Sequence, residues 1–97
     1  MGQKEMKKLG KYGTKIKKNM EENYQFRFQQ LVMEGTIMNK LLEREEEIIN
    51  KRHQIQEQLK QKYQKPQTNE FIVIARYNQM IEEMTEELLQ IEIEEKI

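Results

Sequence analysis

Six apolar residues near the end of the chain, Ile74, Tyr77, Ile81, Met84, Leu88 and Ile91, recur at alternating intervals of three and four. That is the period of a heptad seam, an α-helix that buries one stripe against a partner helix. Phe71, Ile72 and Leu89 widen the stripe. A thinner stripe precedes it, made of Ile37, Leu41, Leu42, Ile48, Ile49, Ile55, Leu59 and Tyr63, and from Glu43 to Glu47 and Asn50 to Gln54 that segment is polar almost all round. Such a helix either bridges solvent or packs along one narrow seam. A third set, Ile16, Met20, Tyr24, Phe28, Leu31 and Val32, marks a shorter helix with one buried face.

The breaks between these stripes are Gly10, Gly13, Gly35 and the neighbourhood of Pro66. Thr14, Thr36 and Thr68 stand where hydroxyls can cap the three helices, and Glu70 complements the dipole of the last. Gly35 can take the left-handed conformation that ends a helix, which keeps the first two helices close neighbours. The expected fold is all-α, with helices at about 14–33, 37–64 and 69–95 behind a basic N-terminal head at 1–13. The second and third form a long antiparallel hairpin, and the shorter first helix packs against it. With 97 residues, 36% apolar and 35% charged, the chain is one domain whose core is a seam. The seven methionines let that seam accept a partner helix.

Residue types narrow the chemistry. The chain has no Asp, Ser, Cys or Trp, and all seventeen acids are Glu. A serine or cysteine nucleophile cannot be drawn, and an acid/base pair with distinct environments has little to draw on. The one imidazole, His53, lies in a polar helical stretch, and Asn50 stands three residues before it where a di-iron bundle would place Glu. His53 therefore reads as a solvated surface residue. We expect no enzyme activity, no metal and no cofactor. The absence of Cys, of a long apolar run and of an apolar leader leads us to expect a cytoplasmic protein without a membrane span.

Net charge is zero, yet the charges are segregated. Residues 1–20 carry seven lysines against Glu5 alone, and residues 70–97 carry eight glutamates against Arg76 and Lys96. Two kinds of binding site follow. If Ile81, Met84, Leu88 and Ile91 face inward, then Glu82, Glu83, Glu86, Glu87 and Glu94 form rows on the outer side of the third helix. Such rows can engage a basic groove on a protein or nucleoprotein complex, with electrostatic steering. Alternatively Lys7, Lys8, Lys11, Lys15, Lys17 and Lys18, with Tyr12 among them, neutralise phosphates and bind nucleic acid without sequence readout. The competing structural readings are that the glutamates keep a thin-cored helix soluble, or pair with the basic head of the same or another copy. Self-association into a homodimer is a third option.

The segment Leu9-Gly10-Lys11-Tyr12-Gly13, a basic helix after it, and Leu31-Val32-Met33-Glu34-Gly35-Thr36-Ile37 with Leu41 beyond resemble the TnpV-type family of small transposon-encoded proteins. In that family a Gly-Lys-Tyr-Gly motif precedes a helix, and two long helices with a Glu-rich end follow. The resemblance spans about Lys8 to Ile93. Two departures are a short leader before Gly10 and a Phe71 to Tyr77 stretch where a tryptophan is expected. The resemblance implies carriage on a bacterial mobile element and brings no established activity. By themselves Gly10 to Gly13 read as a turn, with Tyr12 packed back on the helices, or else as a contact patch of Lys11 and Tyr12. The expected function is a non-enzymatic accessory protein of a mobile element. It would bind a target through its helical surface, for example as an anti-CRISPR-like inhibitor of a host defence nuclease with a basic channel. The runner-up is a nucleic-acid-binding factor for transposition.

Overall fold

The computed structural model describes residues 8–95, and among them lie four α-helices and no strand: α1 (Lys11–Asn23), α2 (Gln25–Glu34), α3 (Ile37–Lys62) and α4 (Phe71–Glu95). The all-α expectation holds, but the helix count does not. The segment read as one helix over 14–33 is two. At Tyr24 the backbone leaves the helical region (φ −138°, ψ 50°), although its amide still reaches the Met20 carbonyl at 2.9 Å. This single-residue kink turns α2 so that Leu31 enters the core while Phe26, Val32 and Met33 stay exposed.

The capping expectations also change. Helix α1 begins at Lys11, so the Thr14 amide already bonds the Gly10 carbonyl at 3.0 Å and Thr14 lies inside the helix. Gly13 and Tyr12 are therefore helical, which replaces the turn expected at Gly10 to Gly13. Thr36 makes no side-chain cap to α3. Gly35 does behave as expected: at φ 76° its amide bonds Val32 O at 3.1 Å, and the next amide bonds Leu31 O at 3.0 Å. That pair of hydrogen bonds is a Schellman closure. Thr68 accepts the Glu70 amide at 3.1 Å in the turn before α4.

Helices α3 and α4 run antiparallel and share the most extensive contact in the molecule. Arg44 reaches the Glu92 carbonyl, Arg52 reaches Glu82, and the Tyr77 hydroxyl donates to the carbonyl of Tyr63 at the end of α3. Helix α1 lies across both, with α2 folded back beside α3. The resulting particle measures 55 × 36 × 18 Å.

The seam on α3 consists of Leu41, Glu45, Ile48, Ile55 and Leu59, with half-buried Arg52 completing an unbroken alternation of four and three. On α4 the buried set is Tyr77, Ile81, Thr85, Leu89 and Ile93. This corrects the heptad read from the sequence: Leu88 and Ile91 are 44% and 50% exposed, whereas Leu89 is 1% exposed. Steps of four on a helix of 3.6 residues per turn carry the buried stripe around the axis. Such drift fits a helix whose far half packs on α1 as well as α3, as the Asn19 bond to the Ile93 carbonyl illustrates. Thr85, fully buried, satisfies its hydroxyl on the Ile81 carbonyl at 2.7 Å.

The register is testable by neighbouring substitutions. Leu89→Ala should cost about 2–5 kcal/mol in urea unfolding. Leu88→Ala should change stability by less than about 1 kcal/mol. The reverse order would restore the heptad reading.

Candidate functional site

Helix α1 has no capping side chain of its own and no acid in its first turn. Its free amides are met from another helix: the buried Glu45 carboxylate of α3 accepts the Gly13 amide at 2.7 Å. The side chain thus takes the place of an N-cap, with its negative charge at the positive end of the helix dipole. The glycines make room for it. A Cβ on Gly10 would lie 2.9 Å from a Glu45 oxygen, and one on Gly13 would lie 2.8 Å from Leu9 Cδ2 and 3.0 Å from the Glu45 carboxylate. The Gly-Lys-Tyr-Gly segment is therefore the socket for an acid thirty-two residues further along.

Once α1 is seated, Lys11, Tyr12 and Lys15 face α4. The Tyr12 hydroxyl donates to Glu86 Oε2 at 2.6 Å, and the Lys11 and Lys15 amines stand 3.2 and 3.9 Å from Glu86 Oε1. Arg52 closes the cluster from α3: its Nη2 reaches both Glu82 oxygens at 2.7 Å, and its Nε lies 3.6 Å from Glu86. Burial pushes the Tyr12 phenol up to about 12, and the Glu86 bond and charge add to the shift. Burial alone would raise Glu86 too, but the Tyr12 and Lys11 hydrogen bonds and the charges of Lys11 and Lys15 outweigh it and leave its pKa lowered. Arg52 is held protonated beyond its ordinary value chiefly by the bond to Glu82, against the opposing effect of burial.

These contacts divide the candidate residues. Of the five glutamates expected on the outer side of the last helix, Glu82 and Glu86 turn inward and are neutralised within the chain. Glu83, Glu87 and Glu94 are exposed, and among the described residues none of them has an ion-pair partner; Gln79 and Gln90 donate to Glu83 and Glu94. In the basic set, Lys11 and Lys15 bind Glu86 and Tyr12 is buried, while Lys8, Lys17 and Lys18 are exposed. Lys7 lies outside the described residues. The two opposed charge clusters thus meet on one another where Lys11, Lys15 and the Tyr12 hydroxyl converge on Glu86.

Sequence reading overlooked Glu45 and Arg52. Their signal was positional: each occupies a slot in the four-three alternation of α3 otherwise filled by Leu41, Ile48, Ile55 and Leu59. A charge in such a slot has to find a partner across the seam. Among the described residues no group of His, Cys, Asp or Glu could hold a metal ion, and no helix is long and apolar enough to cross a membrane. His53 is exposed on α3.

The socket predicts coupling between the two positions. Gly13→Ala should destabilise the wild-type chain by about 1 kcal/mol, because the Glu45 carboxylate and the Leu9 side chain must both shift. In a Glu45→Ala background the same change should cost less, because only Leu9 is left to give way and alanine's helix propensity offsets up to about 1 kcal/mol. A double-mutant cycle from urea denaturation measures the coupling, and additive effects would contradict the socket. The Glu86 cluster predicts a pH profile. With its folded pKa lowered, Glu86 contributes stability that is complete above the ordinary carboxylate value and is lost as pH falls through the folded value. Tyr12, raised from 10.0 to about 12, contributes below pH 10 and loses that contribution as pH rises through 12. Glu86→Gln should flatten the acid limb, and Tyr12→Phe the alkaline limb, of stability measured against pH.

The model of the family described as transposon-encoded protein TnpV matches residues 1–93, nearly the whole chain. No curated protein and no solved structure matches it.

Proposed function

We propose, for a chain that belongs to the TnpV family of transposon-encoded proteins, a non-enzymatic accessory role in which the outer face of α4 binds a protein or nucleoprotein. The observation that carries this reading is the composition of that face. Exposed Glu83, Glu87 and Glu94 share it with half-exposed Leu88 and Ile91. The apolar pair offers contact area, and the acids, free of cation partners among the described residues, steer the face towards a basic surface. A nuclease channel that ordinarily holds nucleic acid is such a surface, so inhibition of a host defence nuclease in the cytoplasm is the favoured form of the activity. The lysine-based alternative is weaker, because Lys11 and Lys15 are already engaged by Glu86 and Tyr12 is buried.

Tagged protein should capture a defence or recombination protein from host lysate, and the capture should survive nuclease treatment. Glu83→Lys, Glu87→Lys and Glu94→Lys together should cut it more than about tenfold while helicity is retained, since each charge reversal at a complementary face costs on the order of 1 kcal/mol. Capture that disappears with nuclease, or with Lys17→Gln and Lys18→Gln, would instead assign the activity to nucleic acid.

A further inference from the structure

We infer that the outer face of α2 is the contact through which two copies of this chain associate. Helix α2 packs on α1 and α3 and not on α4, so this face is separate from that of α4 and does not rest on the role proposed for it. Leu31 is the buried residue of α2, and turned away from it stand Phe26 and Met33, 83% and 87% exposed. Seven positions apart on a helix of 3.6 residues per turn, they share one stripe, with Gln29 and Gln30 on its two edges. These residues, with Glu34, line a shallow groove. No charge falls on the stripe itself.

The spacing selects a second copy as the occupant. Two such helices, packed antiparallel about a two-fold axis that passes between Gln29 and Gln30, set Phe26 of each against Met33 of the other, because the two positions are equally far from the axis. A thioether against an aromatic ring is a favourable contact, and the symmetry makes it twice. Each glutamine then faces its own symmetry mate. A primary amide carries both donors and an acceptor, so it can pair with itself. Arg27 donates to Gln30 at 3.1 Å and holds that amide at the edge of the stripe.

The charges of α2 suit the same pairing. Arg27 and Glu34 are the charged residues of the helix, and both are exposed. In the antiparallel dimer the two Glu34 carboxylates stand at opposite ends, about 14 Å apart along the axis, each on the side of the other copy's Arg27. No like charges meet, and the chain as a whole is neutral, so neither the face nor the net charge opposes association.

Area sets the strength. An aromatic side chain buries roughly 150–250 Å², so Phe26, Met33 and the flanking glutamines of two copies remove on the order of 1,000 Å² in all. That is below the roughly 1,600 Å² of a standard interface, and the dissociation constant should be on the order of tens of micromolar.

Sedimentation velocity of the full chain, from about 1 µM to about 500 µM, should show a concentration-dependent equilibrium of monomer and dimer. Phe26→Glu and Met33→Lys fall at exposed positions, so both variants should keep the helicity of the parent by circular dichroism. Each alone should weaken dimerisation more than about tenfold, since the symmetry removes the contact twice. Mixed in equal amounts they should form a heterodimer tighter than either variant's own dimer. Antiparallel pairing brings the introduced carboxylate against the introduced ammonium and leaves one Phe26–Met33 contact intact, whereas a parallel pairing does neither. A parent chain that stays monomeric throughout, a dimer that either substitution leaves unchanged, or a mixture no tighter than its separate components would each overturn the inference. So would a monomeric parent whose capture from lysate is lost on Phe26→Glu, which would give the face to a different protein.

Discussion

Burying the Glu45 carboxylate is costly unless a donor meets it, and the Gly13 amide is the donor that does. The interaction answers two needs at once, because the first turn of α1 has unpaired amides and no cap of its own. It also fits best at glycine, since a Cβ at either position 10 or 13 would press on the carboxylate and make it shift. The start of α1 is therefore fixed on α3 by a single acid and two residues without side chains. Where α1 sits, and which of its faces meets α4, follows from that contact together with the burial of Ile16 and Met20.

The placement of α1 decides what the segregated charges do. A chain with a basic beginning and an acidic end can present two opposed surfaces, or it can fold one on the other. Here Lys11, Tyr12 and Lys15 come down on Glu86, with Arg52 tying in Glu82. Individually such half-exposed pairs contribute little, about 0–1 kcal/mol each. As a cluster around a buried phenol they orient α1 on the hairpin. Among the described residues Glu83, Glu87 and Glu94, and likewise Lys8, Lys17 and Lys18, are not absorbed in this way and stay exposed.

The acidic face of α4 is narrower than five glutamates would make it, and it includes Leu88 and Ile91. A surface that mixes exposed acids with aliphatic groups suits a protein groove better than a purely solvated helix does. Binding of the kind proposed for the α4 face needs no catalytic group. The exposed Phe26 and Met33, at 83% and 87%, form a second apolar feature on α2 that nothing among the described residues covers.

By itself the sequence determined the all-α class, the long α3 and α4, and the Schellman closure at Gly35, because helical periodicity and glycine's access to positive φ are local properties. It also exposed the charge segregation and the family likeness of Gly10 to Gly13. It did not determine which of two adjacent leucines, Leu88 or Leu89, is buried, because a stripe's direction depends on which helices cover it. The kink at Tyr24 and the socket for Glu45 were likewise beyond local reading. Only the tertiary structure decided them, because both exist to join segments far apart in the chain. Pairing across the fold also decided which lysines and glutamates neutralise one another and which stay free, since a charge's partner is set by distance in space and not along the sequence.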